Sequence, residues 1–234
     1  MSEPLQLASI DLWQRHEARC LALLRQALAL LAPGPPAERE TAINRRLYRA
    51  IVAAQVEAER RGKGPMAPVV PEGMNPPDAS DERRAAREDK RPDFYWGVID
   101  HLAEPGTARH YVLECKRLTR RSPSWSYTRE YVHSGILRFI TEGHGYGKGA
   151  SGGAMVGYLQ QIEIERALSE VNESAAAAGI PRLAQRSNSE TGTLELDHTL
   201  DRLFPDSPYL LSHLWVRRPS ASRHGAGAGC PTAR

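Results

Sequence analysis

Apolar residues fall into two rhythms along this chain, one helical and one extended. Leu21, Leu24, Leu28 and Leu31 recur at spacings of three and four, which places them on one stripe and predicts a helix from about Leu5 to Ala32. Pro33-Gly34-Pro35-Pro36 ends it, because proline lacks the amide donor and clashes inside a helix. Ile43, Leu47 and Ile51 repeat the spacing and predict a second helix from about Ala37 to Arg61, with Glu40 on the inward stripe. Between 62 and 90 large apolar residues are scarce, and proline, glycine and charge dominate. That stretch is expected to be a mobile insertion ending in a short helix near Asp81–Glu88.

The texture then switches. Phe94 to Ile99 is aromatic and β-branched and predicts a strand. Glu104-Pro105-Gly106-Thr107 is a turn signal, and His110 to Lys116 reads as a second strand, so the two should form a hairpin. Tyr127 to Thr141 reads as a helix with Val132, Ile136 and Phe139 or Ile140 facing inward. The glycine-rich stretch 143–153 lacks the order of a phosphate-cradling loop and is expected to be a flexible surface loop. A short buried strand over Ala154–Leu159, a helix over Gln160–Ala178 and strands near Leu194–Asp197 and Tyr209–Val216 follow. The expected organisation is α/β: an N-terminal helix (1–36), a main domain (37–218) and a disordered Ser-, Gly- and Ala-rich tail (219–234).

Composition narrows the class. With 41% hydrophobic and 25% charged residues the chain reads as a globular domain, and it has no apolar run long enough to span a membrane. Its N-terminus carries acids where a secretory leader carries bases. Cys20, Cys115 and Cys230 are widely spaced, which argues against a disulfide framework or zinc site and fits a reducing cytoplasm. A net charge of +3 neither demands nor excludes nucleic acid, but Lys116, Arg117, Arg120 and Arg121 put four cations in six residues.

Those cations follow the chemistry. Side chains alternate along a strand, so Glu114 and Lys116 share one face while Leu113 and Cys115 share the other. The hairpin would bring Asp93, just after Pro92, toward Glu114. Two converging carboxylates repel unless a cation joins them. Joined by the Cys115 backbone carbonyl they suit Mg²⁺ or Mn²⁺. Lys116 beside them could hold a water or offset charge building on a phosphate. Each piece alone has an ordinary explanation: a cross-strand ion pair, a strand start, a helix-terminal acid.

Taken together, Pro92-Asp93 and Glu114-Cys115-Lys116 resemble the PD-(D/E)XK signature of restriction-endonuclease-like nucleases. The resemblance implies a central mixed β-sheet flanked by helices, with a helical extension before it. It implies Asp93 and Glu114 as metal ligands, Lys116 as the residue assisting water, and an acid from an earlier helix, matched by Glu40 with Glu38 as fallback. It also implies a nucleic-acid substrate, DNA rather than RNA, and roles such as restriction, repair or phage defence. Arg117, Arg120, Arg121, Arg138 and Lys148 are expected to contact the phosphate backbone, with Tyr131 and His144 as further candidates. Gln160 or Gln161 is a further candidate near the site. His198 and His213 are expected to be structural, and Trp96 and Trp215 core. The competing expectation is a non-catalytic binding or assembly subunit, with Asp93, Glu114 and Lys116 as an ion-pair network and the leucine-striped N-terminal helix docking a partner or a second copy.

Overall fold

Two long helices and a seven-stranded sheet absorb most of this patterning. The computed structural model describes residues 3–31, 38–77, 85–102, 107–120, 122, 124–188, 193–203 and 208–217. Helices α1 (Glu3–Leu30) and α2 (Glu40–Arg60) pack along each other. Leu24, Leu28 and Leu31 are buried, as are Cys20, Leu23 and Ala27, and they share a core with Ile43, Leu47 and Ile51 of α2. Each buried leucine contributes roughly 1.5–3 kcal/mol. The stripe that suggested a docking or dimerisation face is therefore covered within the chain, and α1 is part of the core. Arg25 ties α1 to the sheet through both guanidinium arms on Glu195, at 2.7 and 2.8 Å.

The strands are β1 (Val70–Pro71), β2 (Phe94–Asp100), β3 (Thr107–Thr119), β4 (Gly152–Gln160), β5 (Ala184–Asn188), β6 (Thr193–Leu200) and β7 (Tyr209–Arg217). They lie in the order β1-β2-β3-β4-β7-β6-β5. β3, β4 and β7 run parallel, and the remaining pairings are antiparallel. β4 is buried at every position, which is why its sequence is apolar and small rather than alternating. Helices cover both faces: Tyr158 reaches Asn44 of α2, while Gly153 and Met155 face Phe139 and Gly135 beyond α3 (Tyr127–His133).

Several expectations are corrected. The stretch 62–77 is not a detached insertion: Val69 is buried, Val70 and Pro71 pair with Tyr95 and Phe94, and buried Asn75 donates to the Arg87 and His144 carbonyls. A 3₁₀ turn over Ala86–Asp89 stands near the predicted short helix, whose residues 81–84 lie outside the described ones. The same holds for the turn residues 103–106, the tail from 218, and Cys230. The helix expected over 127–141 stops at His133, and a 3₁₀ turn spans Ile136–Phe139. At Gly135 a Cβ would stand 2.4 Å from the Tyr131 carbonyl oxygen, so the chain turns where only glycine fits.

The glycine-rich stretch is likewise built into the body. Tyr146, Gly147 and Ala150 are buried, and the buried guanidinium of Arg202 donates to the carbonyls of Phe139, Tyr146, Gly147 and Ala150 while stacking 3.8 Å over the Tyr209 ring. β4 starts at Gly152, two residues before the predicted start, and runs through Gln160. Helix α4 (Ile164–Ala177) starts later than predicted, because Gln161 adopts a positive φ of 55° that breaks the path. Trp96 and Trp215 are core residues, as expected.

Candidate active site

The hairpin register sets the site. Phe94 pairs with Leu113, so Asp93 stands opposite Glu114 at the point where β2 begins. β3 runs six residues further and is paired there only with β4. Its outer edge is completed by side chains. Asp93 Oδ2 accepts the Cys115 N–H at 2.7 Å, and Glu40 Oε2 accepts the Arg117 N–H at 3.0 Å. Alternate amides of the edge thus end on carboxylates from the residue before β2 and from the first turn of α2.

The charged groups meet just beyond. Lys116 Nζ donates to Glu114 Oε1 at 2.7 Å and to the Cys115 carbonyl at 3.0 Å, and lies 3.5 Å from Glu40 Oε1. Arg138 Nη1 donates to the same Glu114 oxygen at 2.6 Å. Asn44, one turn after Glu40, donates to Asp93 Oδ1 at 3.0 Å and is held in turn by the Tyr158 hydroxyl at 2.8 Å. Glu114 is 1% exposed, Lys116 12%, and Arg138 and Glu40 just under a third.

Burial dominates the electrostatics. It pushes the Asp93 carboxyl well above the usual range, and the nearby Glu114 charge adds to the shift. Burial also raises Glu114, against the pull of Lys116 and Arg138. For Lys116, burial opposes the charge, but Glu114, Asp93 and Glu40 outweigh it and hold the ammonium above its ordinary range. Formally the cluster has three carboxylates against two cations.

Among the described residues, no three His, Cys, Asp or Glu side chains are grouped as a metal site. The available set is two carboxylates, Asp93 and Glu114, with the Cys115 carbonyl oriented toward the Lys116 ammonium. It fits Mg²⁺, which keeps several waters and needs only one or two carboxylates. Burial is what raises both carboxyl pKa values, with the Glu114 charge adding to the shift at Asp93. A hard cation bound between them would favour the charged forms.

Two hollows adjoin the cluster. One, of about 550 Å³, is lined by Glu40, Lys116, Arg138, Arg117, Trp125 and Tyr127 among others. The other, of about 330 Å³, reaches Asp93 and Asn44 and carries Arg45, Tyr48 and Arg49. Of the expected phosphate contacts, Arg117 lines the first hollow and stacks over the Tyr127 ring at 5.0 Å. Arg138 joins the cluster itself. Arg120 instead donates to the Gln161 carbonyl at 2.8 Å. Lys148 sits on the turn at 146–149, away from the lining of either hollow, and Arg121 lies outside the described residues.

The remaining candidates resolve differently. Glu38 pairs with Arg46, so Glu40 is the helix acid at the site. Gln160 is buried but donates to the Glu38 carbonyl, and Gln161 is exposed. Tyr131 is a core residue rather than a phosphate contact, with its hydroxyl between His213 Nδ1 at 2.8 Å and Trp215 Nε1 at 2.9 Å. His198 faces the Pro181 carbonyl at 2.9 Å, and His144 lies 3.3 Å from the Thr141 hydroxyl. Sequence reading missed Asn44 and Tyr146, whose ring lies 5.9 Å from the Arg138 guanidinium. Asn44 had a readable signal, its i+4 spacing from Glu40.

Comparison with family models, characterised proteins and solved structures finds no match to this chain. No helix among the described residues is long and apolar enough to cross a membrane.

Proposed function

We propose that this chain is a metal-dependent nuclease with a restriction-endonuclease-like core, hydrolysing phosphodiester bonds, in DNA rather than RNA. The observation that carries this reading is the convergence of Glu40 from α2, Asp93 just before β2, and Glu114 and Lys116 from β3 on one point beside a cation-lined hollow. The mixed sheet flanked by helices supports it, as does the hairpin register that sets Asp93 against Glu114.

In this reading Asp93, Glu114 and the Cys115 carbonyl hold Mg²⁺ or Mn²⁺, which when bound supplies polarisation of a phosphate oxygen and a more acidic water. Lys116 keeps its proton and orients the attacking water or offsets charge on the phosphate. Glu40 positions Lys116 and the Arg117 amide. Arg117 draws the phosphate backbone along the hollow.

A second reading rests on the Glu114 oxygen that holds both Lys116 and Arg138. It makes the cluster an ion-pair lock in a non-catalytic subunit that binds nucleic acid or assembles with a partner. The deciding experiment offers single- and double-stranded DNA and RNA to the purified chain with Mg²⁺, Mn²⁺ or EDTA, beside Lys116→Ala. Metal-dependent cleavage lost in the variant establishes the nuclease. No cleavage, together with no Mn²⁺ binding by calorimetry, establishes the lock.

A further inference from the structure

Trp125 is the unexplained residue next to the cluster. Of the four tryptophans, Trp13, Trp96 and Trp215 are at most 3% exposed, while Trp125 is 50% exposed. It is held by a tight bridge, with Ser122 N–H donating to the Trp125 carbonyl at 3.0 Å and Trp125 N–H to the Ser122 carbonyl at 3.3 Å. The ring lines the larger hollow together with the Arg117–Tyr127 stack and Lys116. Across the carboxylates, the smaller hollow repeats the chemistry: half-buried Tyr48 between exposed Arg45 and Arg49, neither of which makes an ion pair among the described residues.

We infer that the site takes single-stranded polynucleotide, with Trp125 and Tyr48 stacking bases on either side of the carboxylates and Arg117, Arg45 and Arg49 following the backbone. The inference rests on the nuclease reading for the position of the scissile phosphate. An aromatic ring beside cations is the arrangement that binds unpaired nucleotides, because every base offers a π-face once it is unstacked. In a duplex those faces are buried in the stack, so a fixed exposed ring has nothing to meet. Depth points the same way. Glu114 is 1% exposed and Lys116 12%, and an unpaired strand, narrower and more flexible than a duplex, enters such a recess at lower cost.

Because the other tryptophans are buried, fluorescence change on binding reports on Trp125. The chain is titrated in EDTA, where cleavage plays no part, with oligo-dT, oligo-rU and a duplex of equal length. The two single strands are expected to quench the emission, and the duplex to bind at least tenfold more weakly. By anisotropy of a labelled oligo-dT, Trp125→Ala weakens binding about tenfold or more, while Trp125→Phe stays near wild type and loses the quench. Replacing Arg45 and Arg49 together with Gln lowers the slope of log affinity against log salt by about 1.4. Duplex binding as tight as single-strand binding, or unchanged affinity in Trp125→Ala, overturns the inference. Metal-dependent duplex cleavage by the same preparation would leave the nuclease reading standing. Quenching without cleavage of any substrate would do the reverse.

Discussion

The Asp93 carboxylate takes the Cys115 amide at 2.7 Å, one rung beyond the last paired residues of the hairpin, Phe94 and Leu113. The hydrogen bond fixes the acid that precedes β2 relative to the strand that carries Glu114 and Lys116. An acid pair held this way is built by register, so its geometry is as rigid as the sheet. It also sets a burial-driven repulsion between Asp93 and Glu114 against the stability of the fold.

Removing that repulsion separates chemistry from stability. Asp93→Asn keeps an acceptor for Cys115. Its new NH2 is matched when the Asn44 amide turns its oxygen toward it and its own NH2 toward the Tyr158 hydroxyl. The change discards a charge whose folded-state pKa is raised, so at pH 7 the variant melts at or above the wild-type temperature. Cleavage falls by at least ~10²-fold. A melting temperature several degrees lower would show that the charge is part of a stabilising lock.

Arg138 occupies the Glu114 oxygen that a cation would use. Arg138→Met is therefore expected to tighten Mn²⁺ binding by about tenfold, ~1.4 kcal/mol, in calorimetry. Unchanged or weaker binding would remove Arg138 from any competition with the metal.

Arg202 is the anchor of the turn carrying Tyr146. Arg202→Met leaves several buried carbonyls unpaired and should cost about 3 kcal/mol or more, read from the urea midpoint. Loss of under about 1 kcal/mol would mean that water replaces the guanidinium.

Three histidines set an acid limit. Burial holds His198 and His110 down to about 4 and His213 well below its ordinary value. Their folded-state pKa values are depressed, so the unfolded chain takes up protons first. Stability is present above about pH 6.5 and is lost as pH falls toward 4, with Asp93 working in the opposite direction. Melting temperature between pH 7.5 and 5 should fall, and the fall should shrink in His198→Gln. An equal fall in the variant would assign the acid sensitivity elsewhere.

The hairpin and its acids were readable because local rules place them: alternation gave Glu114 and Lys116 one face, and the strand start gave Asp93 its position. Glu40 followed from helical phase. What stayed hidden depends on contacts distant in sequence. Nothing near Gly147 announces that Arg202 will hold its carbonyl, so the glycine-rich stretch looked loose. In β5, Ala184–Asn188, Ala184 to Arg186 are exposed, and an outer strand with little to bury leaves no apolar pattern. Arg138 could be read as a cation, but its distance from Glu114 depends on the break at Gly135, where any added Cβ would run into the Tyr131 carbonyl oxygen.

The outer edge of β3 beyond Leu113 has a further consequence. An extended edge with free amides recruits a strand from another molecule, the first step toward an aggregate. Here Asp93 and Glu40 occupy the amides of Cys115 and Arg117, and Lys116 adds charge alongside. The atoms assigned to chemistry are thereby also the guard against polymerisation. Replacing both Asp93 and Glu40 with alanine would free the Cys115 and Arg117 amides and open this stretch to pairing with a second copy of the chain.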